Sequence, residues 1–451
     1  MSSGGVPVAY EISTDPSMSV LVRSGTATAL AEDAWSVHLE ITGLPPGRPY
    51  WYRFASGAAQ SGIGRTMTAP AIGAPLDKMR FGFVSCSNYE VGYFSAYRHL
   101  ANEQPDLVVF LGDYIYEHVG RRPGVRLHSD GVAAKDLRTY RNRYAQYHTD
   151  PDLQSVHAAA PCLMTWDDHE VQNDYANDLS ETFDDPAQFL KRRAAAYRAY
   201  YEHMPVRPSL SYPNGPDMRL YDRFSFGDLI EFSVLDGRQY RSSQACYARP
   251  NNGGGHVETD ASCPERLDPA RSMLGPAQEK WLFDGLAKAT TRWNVIAQDV
   301  LMAELRERQS DGRIAHWTDD WNGYPACRER LLRHIRDASV RNPVVIGGDS
   351  HTFWANELKL DPGGPTVATE FVGTSITSYG PSYDAWVSYL PDNPHVKFVD
   401  SRQRGYVAVE VTPQRMDVAM RVVSDATDPK ATLSTLRNFI VEDKRAGPVS
   451  A

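Results

Sequence analysis

No apolar run in the chain approaches the ~18 residues a membrane-crossing helix needs, so no span is expected. Positive charge is also in short supply. With 47 lysines and arginines against 56 aspartates and glutamates, the formal charge is -9. That excludes a general nucleic-acid or anionic-membrane binder, because such proteins neutralise phosphates with a cationic excess. If this chain handles phosphate, bound metals must supply the positive charge. Five cysteines are too few for a disulfide scaffold, and none stand in the Cys-x-x-Cys spacing of a structural zinc site. The opening MSSGGVPVAYEIST carries no basic segment, apolar stretch or cleavage site, so no export signal is expected within the given chain.

What is present fits a folded protein, with 42% hydrophobic and 23% charged residues. At 451 residues the chain exceeds what one core usually holds, and two domains are expected. Cys246 and Cys263 bracket a stretch rich in Gly, Asn, Pro and Asp that burial alone would not hold in place. A disulfide would close that loop and imply an oxidising compartment, the alternative being two unpaired thiols.

Residues 1–72 read as a small all-β domain. Short alternating segments (VPVAYEI, SVLVRSGTATA, WSVHLEI, YWYRFAS, RTMTAP) are separated by Gly, Pro, Asp and Ser. ITGLPPGRPYWYRF, at 41–54, looks like the turn-and-strand signature of fibronectin and immunoglobulin-like sandwiches. These segments predict five strands where a sandwich has about seven, so the module is incomplete or truncated. APAIGAPLDK is the expected linker.

Residues 79–451 change texture. The runs MRFGFV, DLVVFLG, CLMTW, LIEFSVL, WNVIAQ and NPVVIGG are too apolar to have a wet face and predict strands buried on both sides. Helical patterns fall at 94–103, 185–204, 276–289 and 326–338. The fold class is therefore α/β, and the strand texture of 366–420 predicts a second sheet packed on the first.

Chemistry gathers where the apolar strands stop. FGFV runs into Ser85-Cys86, LVVFLG into Asp113 and Tyr116, LMTW into Asp167, Asp168 and His169, and VVIGG into Asp349 and His351. Carboxyl ends of strands in open α/β sheets form the ligand crevice, and several carboxylates can share one only if cations neutralise them. Taken singly, each has a bland reading. Asp113 serves equally as a turn former, Cys86 as a small buried hydrophobe, and His169 and His351 as satisfied core histidines. Four coincidences at four strand ends favour metal.

GDYIYE (112–117), TWDDHE (165–170), GGDSHTFWANEL (347–358), VATEFVGTSITS (367–378) and NPHVKFVDSRQRGY (393–406) together resemble the PhoD-type alkaline phosphatases, calcineurin-like metallophosphoesterases. The resemblance implies a four-layer, two-sheet α/β sandwich after the β domain, and a site holding iron(III) with calcium, or Mn2+, Mg2+ or Zn2+ as second metal. By the same resemblance Asp113 is the bridging ligand and Tyr116, Cys86 and His351 bind iron, with Asp349 alongside. Asp167 and Asp168 take the second metal. The family's Asn-Asn pair is Asn173-Asp174 here, which leaves open which of the two binds.

The expected reaction is hydrolysis of a small phosphomonoester, with phosphodiesterase or phospholipase D-like action as the alternative, in an extracytoplasmic location. His169 is expected to donate a proton to the leaving oxygen, or else to support a ligand from behind. Arg238, in LDGRQYR, is expected to contact phosphate, or else to form an ion pair with Asp236 or a neighbour.

Overall fold

The computed structural model describes residues 4–120, 124–247 and 253–451. Two seven-stranded sheets form the centre. Three parallel strands, β1 (Met79–Val84), β2 (Leu107–Leu111) and β3 (Cys162–Thr165), lie at one side of the first sheet. Three more, β4 (Ile230–Val234), β5 (Trp293–Ala297) and β6 (Pro343–Gly347), run parallel in the second. These are the six apolar runs of the sequence.

Alternation explains why they lack a polar face. Along β1 and β2, Phe81, Phe83, Leu107, Val109 and Leu111 point between the sheets, while Val84, Val108 and Phe110 point to the outer helices. Likewise Val295, Val344 and Ile346 face the first sheet, whereas Ile296 and Val345 pack under helices Gly275–Leu286 and Pro325–Asp337. The result is the four-layer α/β/β/α arrangement expected.

The strands after residue 353 do not form a separate sheet. Phe353–Lys359, Thr366–Val372 and Val396–Asp400 extend the second sheet, while Gly405–Val411, Arg415–Val423, Leu433–Glu442 and Arg445–Ser450 extend the first. The helix expected at 185–204 is Pro186–His203, started by the Asp185 carboxylate accepting from Gln188 N. Helices Leu137–Tyr147 and Pro151–Ala159 add to the four predicted.

The N-terminal strands Val6–Ser13, Leu21–Ala29, Pro49–Ser56, Ala59–Gln60 and Gly64–Met67 make one antiparallel sheet rather than a two-sheet sandwich. WSVHLEI is not a strand. Its polar groups dock instead: His38 stacks on Tyr201 with ring centres 4.4 Å apart, and Glu40 accepts from Ser209 N at 3.0 Å. Tertiary contacts have overridden the local alternation. Among the described residues no helix is long and apolar enough to cross a membrane.

Candidate metal centre

The two sheets bring their strand ends together. Ser85 and Cys86 follow β1, Asp113 follows β2, Asp167 and Asp168 follow β3, and Asp349 and His351 follow β6. The loops after β2 and β3 approach so closely that a Cβ on Gly112, at φ 99°, would meet Asp167 N at 2.4 Å. Cys86, Asp113, Asp174, Asp349 and His351 all hold a left-handed backbone, with φ between 51° and 62°. Backbone conformations that non-glycine residues rarely adopt are retained where the surroundings fix them, as at functional sites.

Ligand atoms converge in groups. One atom each from Cys86, Asp113 and His351 lies within 4.8 Å of the others, and the same holds for Asp167, Asp168 and Asp349, and for Asp113, Asp168 and His169. Asp113 and Asp168 therefore sit where the groups overlap. Tyr116 joins the first group, its hydroxyl donating to Asp113 Oδ2 at 2.9 Å and accepting from Ser378 Oγ at 2.6 Å. His351 Nδ1 donates to the Tyr379 carbonyl at 2.7 Å, which fixes the tautomer and leaves Nε2 facing the Tyr116 oxygen at 3.2 Å. Burial holds the His351 ring neutral, its pKa pushed down to about 4.

Asn173 and Asp174 are placed differently. The Asn173 side-chain amide donates to Glu181 at 2.8 Å, and Asp174 Oδ2 accepts from Gly255 N at 2.8 Å. Asp174 belongs to none of the groups, although its own N–H holds Asp168 Oδ2 at 2.6 Å. Arg238 is fully buried and spends its fork on carboxylates, with Nε 2.5 Å from Asp167 and Nη1 2.7 Å from Asp319. The ion-pair alternative describes its surroundings, with Asp167 and Asp319 rather than Asp236 as partners of the guanidinium. Only Nη2 lacks a hydrogen bond, 4.0 Å from Asp168 and 3.8 Å from Asp349. His169 lies 2.7 Å from Glu117 through Nδ1 and is held well above its ordinary pKa: burial opposes the charge, but Asp168, Asp113 and Glu117 outweigh it.

Three further acids shape the site: Glu170, one of the polar residues that follow LMTW, and Glu117 and Asp299, to which the sequence assigned no role. Glu170 accepts from the backbone N–H groups of Tyr114 at 2.6 Å, Asp113 at 3.1 Å and Asp167 at 2.8 Å, tying the two ligand loops together. Glu117 fixes His169. Asp299 follows β5 as the other acids follow their strands, and both its oxygens are buried without a hydrogen bond. The strand-end signal that found Asp113 also marks Asp299.

The donor set fits cations. Asp167 Oδ2 and Asp168 Oδ1 are buried with no hydrogen-bond partner. Burial pushes up the carboxyls of Asp113, Asp167 and Asp349, Asp349 to about 7, and neighbouring acids add to the effect. Burial likewise raises the Cys86 thiol and the Tyr116 phenol. A positive ion at this point would satisfy the orphaned oxygens and allow all of these groups to ionise.

A crevice that concentrates buried acids between the carboxyl ends of two stacked sheets fits the class of metal-dependent phosphoesterases. The chain belongs to the PhoD-like phosphatase family, whose core matches residues 81–420 and whose N-terminal domain matches residues 2–70. It is 44% identical over 458 residues to alkaline phosphatase D of Bacillus subtilis (strain 168), a match covering 99% of this chain and 76% of that protein. A solved structure of PhoD superposes with a TM-score of 0.93 at 42% identity, covering 100% of this chain and 86% of the other.

Proposed function

We propose that the chain is an alkaline phosphatase that hydrolyses small phosphomonoesters, with iron(III) held by Cys86, Asp113, Tyr116 and His351 and calcium held by Asp113, Asp167, Asp168 and Asp349. The observation that carries this reading is the mixture of donors around one crevice. A thiol, a phenol and an imidazole suit a transition metal, while a patch of carboxylates suits a hard divalent ion. Asn173 or Asp174 completes the second set from its edge, where Mn2+, Mg2+ or Zn2+ are the alternatives to calcium. When bound, the metals neutralise phosphate oxygens and activate a water for in-line attack.

The protein's own groups do the rest. Glu170 keeps the two ligand loops in register, and Arg238 balances the charge of Asp167 while leaving Nη2 for a single contact near the phosphate. His169, protonated and oriented by Glu117, gives its proton to the departing oxygen. The Cys246–Cys263 bridge supports action in an oxidising compartment outside the cytoplasm.

Turnover of a nitrophenyl phosphate monoester compared with its bis-ester tests the substrate class. The monoester is expected to be preferred; a preference for the bis-ester would favour the phosphodiesterase or phospholipase D-like alternative.

A further inference from the structure

The Glu117 carboxylate stands between two imidazoles. Its Oε2 lies 2.7 Å from His169 Nδ1 and 3.5 Å from His118 Nδ1, and one ligand atom from each of the three residues falls within 4.8 Å of the others. The other oxygen, Oε1, accepts from Asn173 N at 3.1 Å, which turns Oε2 toward the rings. Glu117 and His169 are buried, while the His118 side chain is 41% exposed. His118 belongs to none of the groups proposed above for the catalytic ions, although His169 also groups with Asp113 and Asp168.

Two imidazoles and one carboxylate are the donors preferred by zinc and its late first-row neighbours, whereas calcium takes oxygen ligands. Three protein ligands leave one position open, and the exposed His118 gives an ion a path to the buried pair. We propose that Glu117, His118 and His169 form a separate, inhibitory site for a zinc-class divalent cation at the rim of the catalytic centre. An ion bound there displaces the 2.7 Å contact between His169 Nδ1 and Glu117 that orients the ring, so His169 is no longer held in place toward the departing oxygen. The site stands on this geometry; its inhibitory effect rests on the reading of His169 given above.

The test titrates Zn2+ into protein carrying its resident metals, measuring zinc bound per chain, resident-metal content and turnover of nitrophenyl phosphate together. The wild type should bind one additional zinc per chain without losing resident ions, and its turnover should fall at least tenfold. His118→Ala should keep zinc-free turnover within twofold and shift both zinc binding and inhibition to at least tenfold higher concentration. No additional zinc, equal binding by His118→Ala, or zinc entering only at the expense of resident ions would overturn the site. Additional zinc that depends on His118 but leaves turnover untouched would preserve the site and overturn His169 as the proton donor.

Discussion

The hydroxyl of Tyr116 and Nε2 of His351 stand 3.2 Å apart although 235 residues separate them in the chain. Tyr116 arrives on the loop after β2 of the first sheet and His351 on the loop after β6 of the second. If both bind a trivalent iron, phenolate-to-iron charge transfer should colour the protein. Tyr116→Phe keeps the ring and removes only the oxygen, so the visible band should bleach or shift while the folded circular-dichroism spectrum persists. A band unchanged in position and intensity would remove Tyr116 from the ligand set.

Asp113 sits where two ligand groups overlap and is 1% exposed. An amide cannot carry its charge, so Asp113→Asn should lose more than tenfold of turnover, above about 1.4 kcal/mol in barrier. Thermal unfolding of the apo forms should remain cooperative. Retention of more than about a tenth of wild-type turnover would count against a shared ligand.

Glu170 contributes to stability as well as to the site, because it satisfies three backbone N–H groups at once. Intramolecular hydrogen bonds contribute roughly 0.5–1.5 kcal/mol each, and unsatisfied buried donors are costly. Glu170→Ala should therefore lower unfolding free energy by more than about 2 kcal/mol. Denaturant titration showing a loss under ~0.5 kcal/mol, the range of ordinary surface substitutions, would contradict the clamp.

Much of this was legible in the sequence because buried parallel strands must be apolar on both faces, and the residue that ends such a strand is where polar chemistry emerges. The six runs from MRFGFV to NPVVIGG and the ligands behind four of them follow from that rule. Other features depend on pairing between distant segments. Nothing local distinguishes Thr366–Val372, which extends the second sheet, from Gly405–Val411, which extends the first. WSVHLEI alternates like a strand, yet His38 and Glu40 are consumed in docking onto the core. Glu117 and Glu170 lay inside recognised motifs, but an acid that accepts backbone N–H groups has the same sequence signature as one that binds metal.

The Cys246–Cys263 pair expected from the loop composition is bonded, and residues 248–252 within that loop lie outside the described residues. Under the chain-entropy account a crosslink closing a loop of this size contributes about 3 kcal/mol. Replacing both cysteines by serine should lower stability by roughly 2–4 kcal/mol in non-reducing buffer. Mass spectrometry of exported protein should find the peptides joined; free thiols in the absence of reductant would weaken an extracytoplasmic assignment.

Whether one crevice holds two kinds of metal for phosphate-ester hydrolysis is decided by the metal content of active protein before and after calcium chelation. Elemental analysis alongside turnover should find iron and calcium in the purified enzyme. Chelation should remove calcium and activity while iron and colour remain, and added calcium should restore turnover. A colourless, iron-free protein fully active with a simple divalent ion would contradict the account.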